Sequence, residues 1–240
     1  MASFILIHGS WHAGWCWHRP LQRLRARGHD AVAPDMPGRG RDKHPITRLT
    51  LADYVTAVTR ELDARDAPAV LVAHSRGGVV ASAAAEARPE KVAAIVYLAA
   101  YLVPPDERVL DWAISDEESL VRANLDINQA EGWDMLRAEA FREALYHDCS
   151  DDDVALCQAL LTPEPLGPTL TPTPITQERW GAIPRGYIVL TQDRAVGPAL
   201  QRRMLARTPC ARVVEIDASH SAYFSRPDEL TEAILACAGL

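Results

Sequence analysis

The chain has 240 residues, 48% of them hydrophobic, and a net charge of −7 at pH 7. That size and apolar fraction suit one domain with a full core, residues 1–240. The acidic balance excludes nucleic acid and an anionic membrane surface as expected partners. No apolar stretch approaches a membrane span, and the N-terminus has neither a charged n-region nor a long h-region, so a cytoplasmic location is expected. Cys16, Cys149, Cys157, Cys210 and Cys237 are odd in number and scattered, which suits free thiols better than a disulfide framework. No Cys/His group has metal-ligand spacing, and no glycine loop is built to cradle phosphate. The expectation is therefore no metal and no cofactor, with His8 and His12 packing and orienting their shared loop.

In chain order, Phe4-Ile5-Leu6-Ile7 reads as a strand buried on both faces, stopped by His8-Gly9. A helix is predicted from Trp15 to Arg27, ended by Gly28, and Ala31 to Asp35 reads as a second strand. Leu51 to Arg65 has amphipathic helical spacing, with Thr50 as its N-cap. Next come Ala69-Val70-Leu71-Val72, then Ala73-His74-Ser75-Arg76-Gly77-Gly78, then a helix-forming run from Val79. Strand, sharp turn and helix with serine at the apex form a nucleophile elbow, whose flanks must be small; Ala73 stands where the motif has its first Gly. Val92 to Ala100 is another buried strand. Alternation of strands and helices implies a mostly parallel sheet flanked by helices.

After Pro104-Pro105 the periodicity changes, and up to about Gln177 only helical patterns, loops and prolines are read. This stretch, approximately 102–180, is expected to be a helical cap over the serine. Its aromatics, Trp112, Trp133, Phe141 and Tyr146, are candidate pocket residues, although core packing of the cap competes as their role. Two further strands follow. Gly186 to Leu190 leads into Thr191-Gln192-Asp193, and Arg212 to Ile216 leads into Asp217-Ala218-Ser219-His220-Ser221. Arg226 to Ala238 is a terminal helix.

The order Ser75, Asp193, His220, each just after a strand, is that of an α/β-hydrolase. A hydroxyl needs an imidazole to take its proton, and the imidazole needs a carboxylate to fix its tautomer. Asp217 is the near rival for the carboxylate, but it precedes His220 by too little chain to reach the far side of the imidazole easily. The backbone N–H groups of Ser10 and Arg76 are the candidate oxyanion donors, the second at a helix start.

The stretch His8-Gly9-Ser10-Trp11-His12-Ala13-Gly14-Trp15-Cys16-Trp17, with Gly28-His29, Asp35, the Ser75 elbow, Thr191-Gln192-Asp193 and Ala218-Ser219-His220, resembles the plant methylesterase and hydroxynitrile lyase group, salicylate-binding esterase included. His147-Asp148-Cys149-Ser150 and Pro163-Glu164-Pro165-Leu166 resemble its bacterial relatives. The resemblance implies an α/β-hydrolase fold with the cap inserted before the acid. It also implies Ser75 as nucleophile, His220 as base and acid, and Asp193 as its orienter. Gly9, Trp11, Tyr101 and Ser221 join the cap aromatics as pocket candidates, with Trp133 placed where the family has its pocket tryptophan. Related enzymes are often dimers, so a homodimer is within the expectation.

Two departures separate the chain from the lyases, which have Thr where Gly9 stands and Lys where Ser221 stands. Arg76 is unusual after a nucleophile; either it enters the pocket to bind a carboxylate, or it is structural and points to solvent or pairs with a cap acid. The expected substrate is a small or medium carboxylic ester, a methyl ester among them, cleaved through an acyl-enzyme. A C–C or cyanohydrin lyase, a lactonase, a cyclase, or a ligand-binding receptor on the same scaffold are the alternatives.

Overall fold

A computed structural model describes residues 1–240. Its main sheet has six parallel strands: β1 Ser3–Ile7, β2 Asp30–Val32, β3 Ala69–His74, β4 Val92–Leu98, β8 Arg185–Leu190 and β9 Arg212–Ile216, in the order β2-β1-β3-β4-β8-β9. Every residue of β3 is buried. Because side chains alternate across a strand, Leu6, Val72, Val96 and Ile188 pack on one face with α1 His18–Ala26 and α10 Pro227–Ala238. Ile7, Leu71, Ile95 and Val189 pack on the other face with α2 Leu51–Asp63, α3 Gly77–Ala87 and α8 Pro198–Arg207. The continuous apolar runs of the sequence are thus strands covered on both sides. Thr50 caps α2 as expected and forms a reciprocal capping box with Asp53. Helix α8 was not anticipated.

The segment between β4 and β8 departs from the all-helical expectation. Besides short helices, it holds a three-stranded antiparallel sheet of β5 Leu125–Asn128, β6 Trp133–Leu136 and β7 Glu164–Pro165. The period-2 signal is present in Leu-Asp-Ile-Asn and Trp-Asp-Met-Leu, but four residues are too few to stand out from short helical patterns.

One carboxylate seats this inserted segment on the sheet. Glu164 is fully buried. Its Oε2 accepts the backbone N–H of Trp11 at 2.7 Å and faces Arg39 Nε at 3.3 Å. Its Oε1 accepts the Tyr54 hydroxyl at 2.9 Å and is paired with Arg76 Nη2. Burial would raise its pKa, but Arg39 and then Arg76 overcome that and hold it below the usual carboxylate range. Arg39 also donates to the carbonyls of His12 at 3.1 Å and Thr162 at 2.9 Å, and to that of Pro163.

Three buried histidines stand at the carboxyl end of the sheet. His8 accepts the Met36 N–H on Nε2 at 3.1 Å and donates from Nδ1 to its neighbour's carbonyl, Gly9 O. His12 donates from Nδ1 to Ser10 O and accepts the Tyr146 hydroxyl on Nε2 at 2.6 Å. His74 donates from Nε2 to the carbonyl of His220 at 2.9 Å. Burial keeps all three neutral: His8 is pushed down to about 4, His12 to about 3, and His74 well below the ordinary range.

Two outcomes are expected. Glu164→Ala leaves two guanidinium groups buried without their shared partner and lowers the unfolding free energy by about 3–5 kcal/mol in urea titrations; a loss below about 1 kcal/mol contradicts the seating role. Stability also falls with acid. Below about pH 6.5 the unfolded chain protonates the three histidines while the folded one does not, so unfolding takes up protons. Asp134, pushed up to about 6 chiefly by burial, works in the opposite sense. The net slope from about pH 6 to 4.5 is on the order of 2–3 kcal/mol per pH unit, read from urea midpoints.

Candidate functional site

Strand β3 runs out at His74, and Ser75 turns the chain with φ at +55° before α3 begins at Gly77. That left-handed conformation is strained for serine and lifts its side chain over the sheet edge. The turn is held by Ser75 N donating to Leu98 O at 3.2 Å and Tyr101 N donating to Ser75 O at 3.0 Å. A Cβ on Gly77 would lie 2.7 Å from His8 O, and one on Gly78 would lie 2.5 Å from Tyr101 O. Both positions need glycine for close approach, whereas Ala73, buried within β3, fits where the motif has its first Gly.

The other two expected groups converge on this serine. His220 Nδ1 donates to Asp193 Oδ2 at 2.7 Å. Asp193 is itself fixed, because its Oδ1 accepts the N–H groups of Ala195 at 2.7 Å and Val196 at 2.9 Å. With Nδ1 carrying the proton, Nε2 of His220 is the free lone pair. Ser75 and His220 line the same chamber of about 80 Å³. Their side chains do not yet share a hydrogen bond, a contact that commonly tightens only around bound substrate. Asp217 is not the partner: it is exposed and accepts from Thr191 Oγ1 at 3.0 Å and Gln192 Nε2 at 2.9 Å.

The backbone N–H groups of Ser10 and Arg76 have no acceptor within the protein, and both residues line the chamber. Trp11, next to Ser10, has φ at +62°. It is held from three sides by the inserted segment: its N–H by Glu164, its carbonyl by Thr162 N at 3.1 Å, and its indole Nε1 by Asp134 Oδ1 at 2.8 Å. The guanidinium of Arg76 is held by Glu164, by Pro165 O at 2.9 Å and by Thr169 Oγ1 at 3.4 Å. Of the two alternatives for Arg76, the structure takes the pairing with an acid of the inserted segment.

The pocket expectations divide. Trp11 and Tyr101 line the chamber. Gly9 lies beneath the serine, where a Cβ would come 2.7 Å from Ser75 Cβ, so its part is clearance rather than lining. Four expectations are corrected. Trp133 donates Nε1 to Glu131 at 2.6 Å on the outer side of β6, because strand alternation turns Asp134 inward instead. Trp112 donates Nε1 to Glu107 at 2.8 Å and lies under the Arg203 guanidinium. Tyr146 is buried beneath His12, and the Ser221 hydroxyl donates to Tyr223 at 3.1 Å.

Sequence reading missed Asp134, Glu164, Arg39 and Gln201, whose amide Nε2 lies 3.5 Å from Asp193 Oδ2. For Asp134 the alternation of β6 was the available signal. His147 and Asp148 find a role as well: His147 Nε2 meets Gln192 O at 2.8 Å and Asp148 accepts Ser219 N at 3.0 Å, bracing both loops of the His220–Asp193 pair.

Through Tyr101, Ala113, Val121, Leu125, Asp134 and Thr169 the chamber adjoins a second pocket of about 530 Å³. Leu110, Ile114, Ile127, Leu166 and Leu170 make that pocket mostly apolar.

Comparison with known proteins agrees with this architecture. Methylesterase 7 of Arabidopsis thaliana is 31% identical over 97% of this chain and 95% of its own. Salicylic acid-binding protein 2 of Nicotiana tabacum is 30% identical over 97% and 95%. Among solved structures, a pyrethroid hydrolase from Sphingobium faniae superposes with a TM-score of 0.89 at 28% identity, covering 99% of this chain and 97% of that one. Polyneuridine aldehyde esterase, with a TM-score of 0.89 at 22% identity over 98% of both chains, shares the fold. The model of the alpha/beta hydrolase family matches residues 4–233, and the chain belongs to that family.

Proposed function

We propose that this α/β-hydrolase is a carboxylic-ester hydrolase that works through an acyl-enzyme on Ser75, with the inserted segment serving as the cap of the site. The observation that carries the reading is the convergence on one chamber of Ser75, the His220–Asp193 pair and two unpartnered N–H groups. Its similarity to methylesterases points the same way. Ser75 Oγ attacks the ester carbonyl and passes its proton to His220 Nε2, while Asp193 keeps Nδ1 protonated and stabilises the imidazolium. The carbonyl oxygen becomes an anion facing the N–H groups of Ser10 and Arg76, at the positive end of α3. His220 then protonates the departing alcohol. A water, deprotonated by the same ring, cleaves the acyl-serine and restores the hydroxyl.

The two cavities suggest which part of the ester goes where. The chamber beside Ser75 accommodates a small alcohol such as methanol. The apolar pocket is suited to a larger acyl group, which gains burial there.

Ser75→Ala is expected to lower kcat/KM for methyl esters by about three to six orders of magnitude, with little further loss when His220→Ala is added. Asp193→Asn is expected to lower kcat by about 10⁴, because the imidazole then takes the wrong tautomer. Substantial turnover by Ser75→Ala removes the acyl-enzyme. In a series of methyl alkanoates, kcat/KM is expected to rise about three- to fourfold per added CH2 until the pocket is filled, and to fall as the alcohol is lengthened from methyl to butyl. The opposite ordering would reverse the assignment of the two cavities.

A further inference from the structure

Asp134 sits where the two cavities meet and borders both. It is 7% exposed. Strand β6 points it inward, and the indole Nε1 of Trp11 fixes its Oδ1 at 2.8 Å. Oδ2 is different: no protein group donates to it, and it is not sealed off from the cavity. An acceptor oxygen held in one orientation and left open, with no protein donor, is available to a donor carried by a substrate. Its neighbours do not fill that role. Arg76 is committed to Glu164 and Pro165, and Arg39 to Glu164 and the backbone. Nothing in the proposed chemistry at Ser75 uses this carboxylate, and the rest of the passage into the larger pocket is mostly apolar.

We propose that Asp134 is the polar specificity determinant of the site: its free Oδ2 accepts a hydrogen bond from a hydroxyl or ammonium group on the acyl part of the substrate, and the same oxygen turns away a carboxylate at that place. The proposal rests on the ester-hydrolase reading and adds to it the kind of acid the ester contains. A purely apolar acyl chain passes Asp134 and leaves it unsatisfied; a chain with a donor at the right depth satisfies it.

The groups facing Asp134 set how this changes with pH. Arg76 from the elbow, Arg39 from the loop after β2 and Glu164 from β7 keep their charges. Burial weakens the Asp134 carboxylate most, Arg76 and the Trp11 indole restore part of it, and the balance leaves it at about 6. Below that pH the carboxyl is neutral, and its rejection of an anionic substrate fades. His220, across the chamber, alters the rate for every ester alike and cancels from a ratio of two substrates.

The test uses methyl esters of straight-chain acids that end in methyl, hydroxyl, ammonium or carboxylate, over a range of chain lengths, with ratios of kcat/KM taken within each protein. At the matching length the wild type is expected to prefer a hydroxyl or an ammonium terminus over methyl by about tenfold, and to disfavour carboxylate by a similar factor. In Asp134→Asn, which keeps the shape and the acceptor for Trp11, the ammonium preference and the carboxylate penalty both collapse. In Asp134→Leu the hydroxyl preference is lost as well. If these variants do not fold, the wild-type ratio of carboxylate to methyl esters decides: it must climb as the pH falls through about 6. Equal ratios in wild type and Asp134→Asn, or a wild-type preference for carboxylate, overturn the proposal. Calorimetric binding of methyl ketones with the same four termini to Ser75→Ala separates this idea from the ester reading. Terminus selectivity without ester turnover in the wild type would remove the hydrolase and keep the subsite. Absence of selectivity in both assays would remove the subsite.

Discussion

The Glu164 carboxylate is the constraint on which the site depends. It lies in a segment remote in sequence from the elbow, yet it joins the loop after β1, the residue after Ser75, a helix of the sheet's flank and Arg39. Buried ion pairs are weak evidence for stability by themselves, because desolvation consumes most of the attraction. Their use here is geometric. The N–H of Trp11 is pinned to Glu164, while the N–H of its neighbour Ser10, at the chamber wall, keeps no acceptor in the protein. The guanidinium of Arg76 is paired with the same carboxylate, and its backbone N–H, like that of Ser10, has no acceptor in the protein. One group therefore ties the two residues proposed as oxyanion donors to the inserted segment.

The remaining order of the site comes from groups held neutral. His8, His12 and His74 are donors or acceptors in fixed tautomers, not charges. His74 ties the strand before the nucleophile to the carbonyl of His220, with the two rings 4.3 Å apart. A charged His74 would oppose formation of the His220 imidazolium at that distance; a neutral one holds the loop without that penalty.

Legibility in the sequence followed range. The sheet strands, the elbow and the order of Ser75, Asp193 and His220 could be read because each is announced by a run of apolar residues and a local turn signal. The choice of Asp193 over Asp217 was also readable from chain geometry. The roles of Glu164 and Arg39 were not, even though Glu164 stands in a segment that the resemblance matched, since what makes them matter is burial against residues on other elements, and no local pattern records that. Trp133 and Asp134 differ within one strand: a single step of phase in four residues decides which side chain turns inward, and the resemblance that pointed to Trp133 carried no information on that phase. Arg76 was left between two alternatives because its partner was unknown; Glu164 settles it.

The left-handed backbone at Ser75 has a consequence for how such a chain changes over generations. Glycine would occupy that conformation without strain, and serine there costs about 1–3 kcal/mol. Drift governed by folding alone would accordingly replace the residue at the apex with glycine and gain stability each time. The fold by itself pulls the apex toward glycine, and the hydroxyl of Ser75 is held there at a cost in stability that the sheet and helices around it absorb.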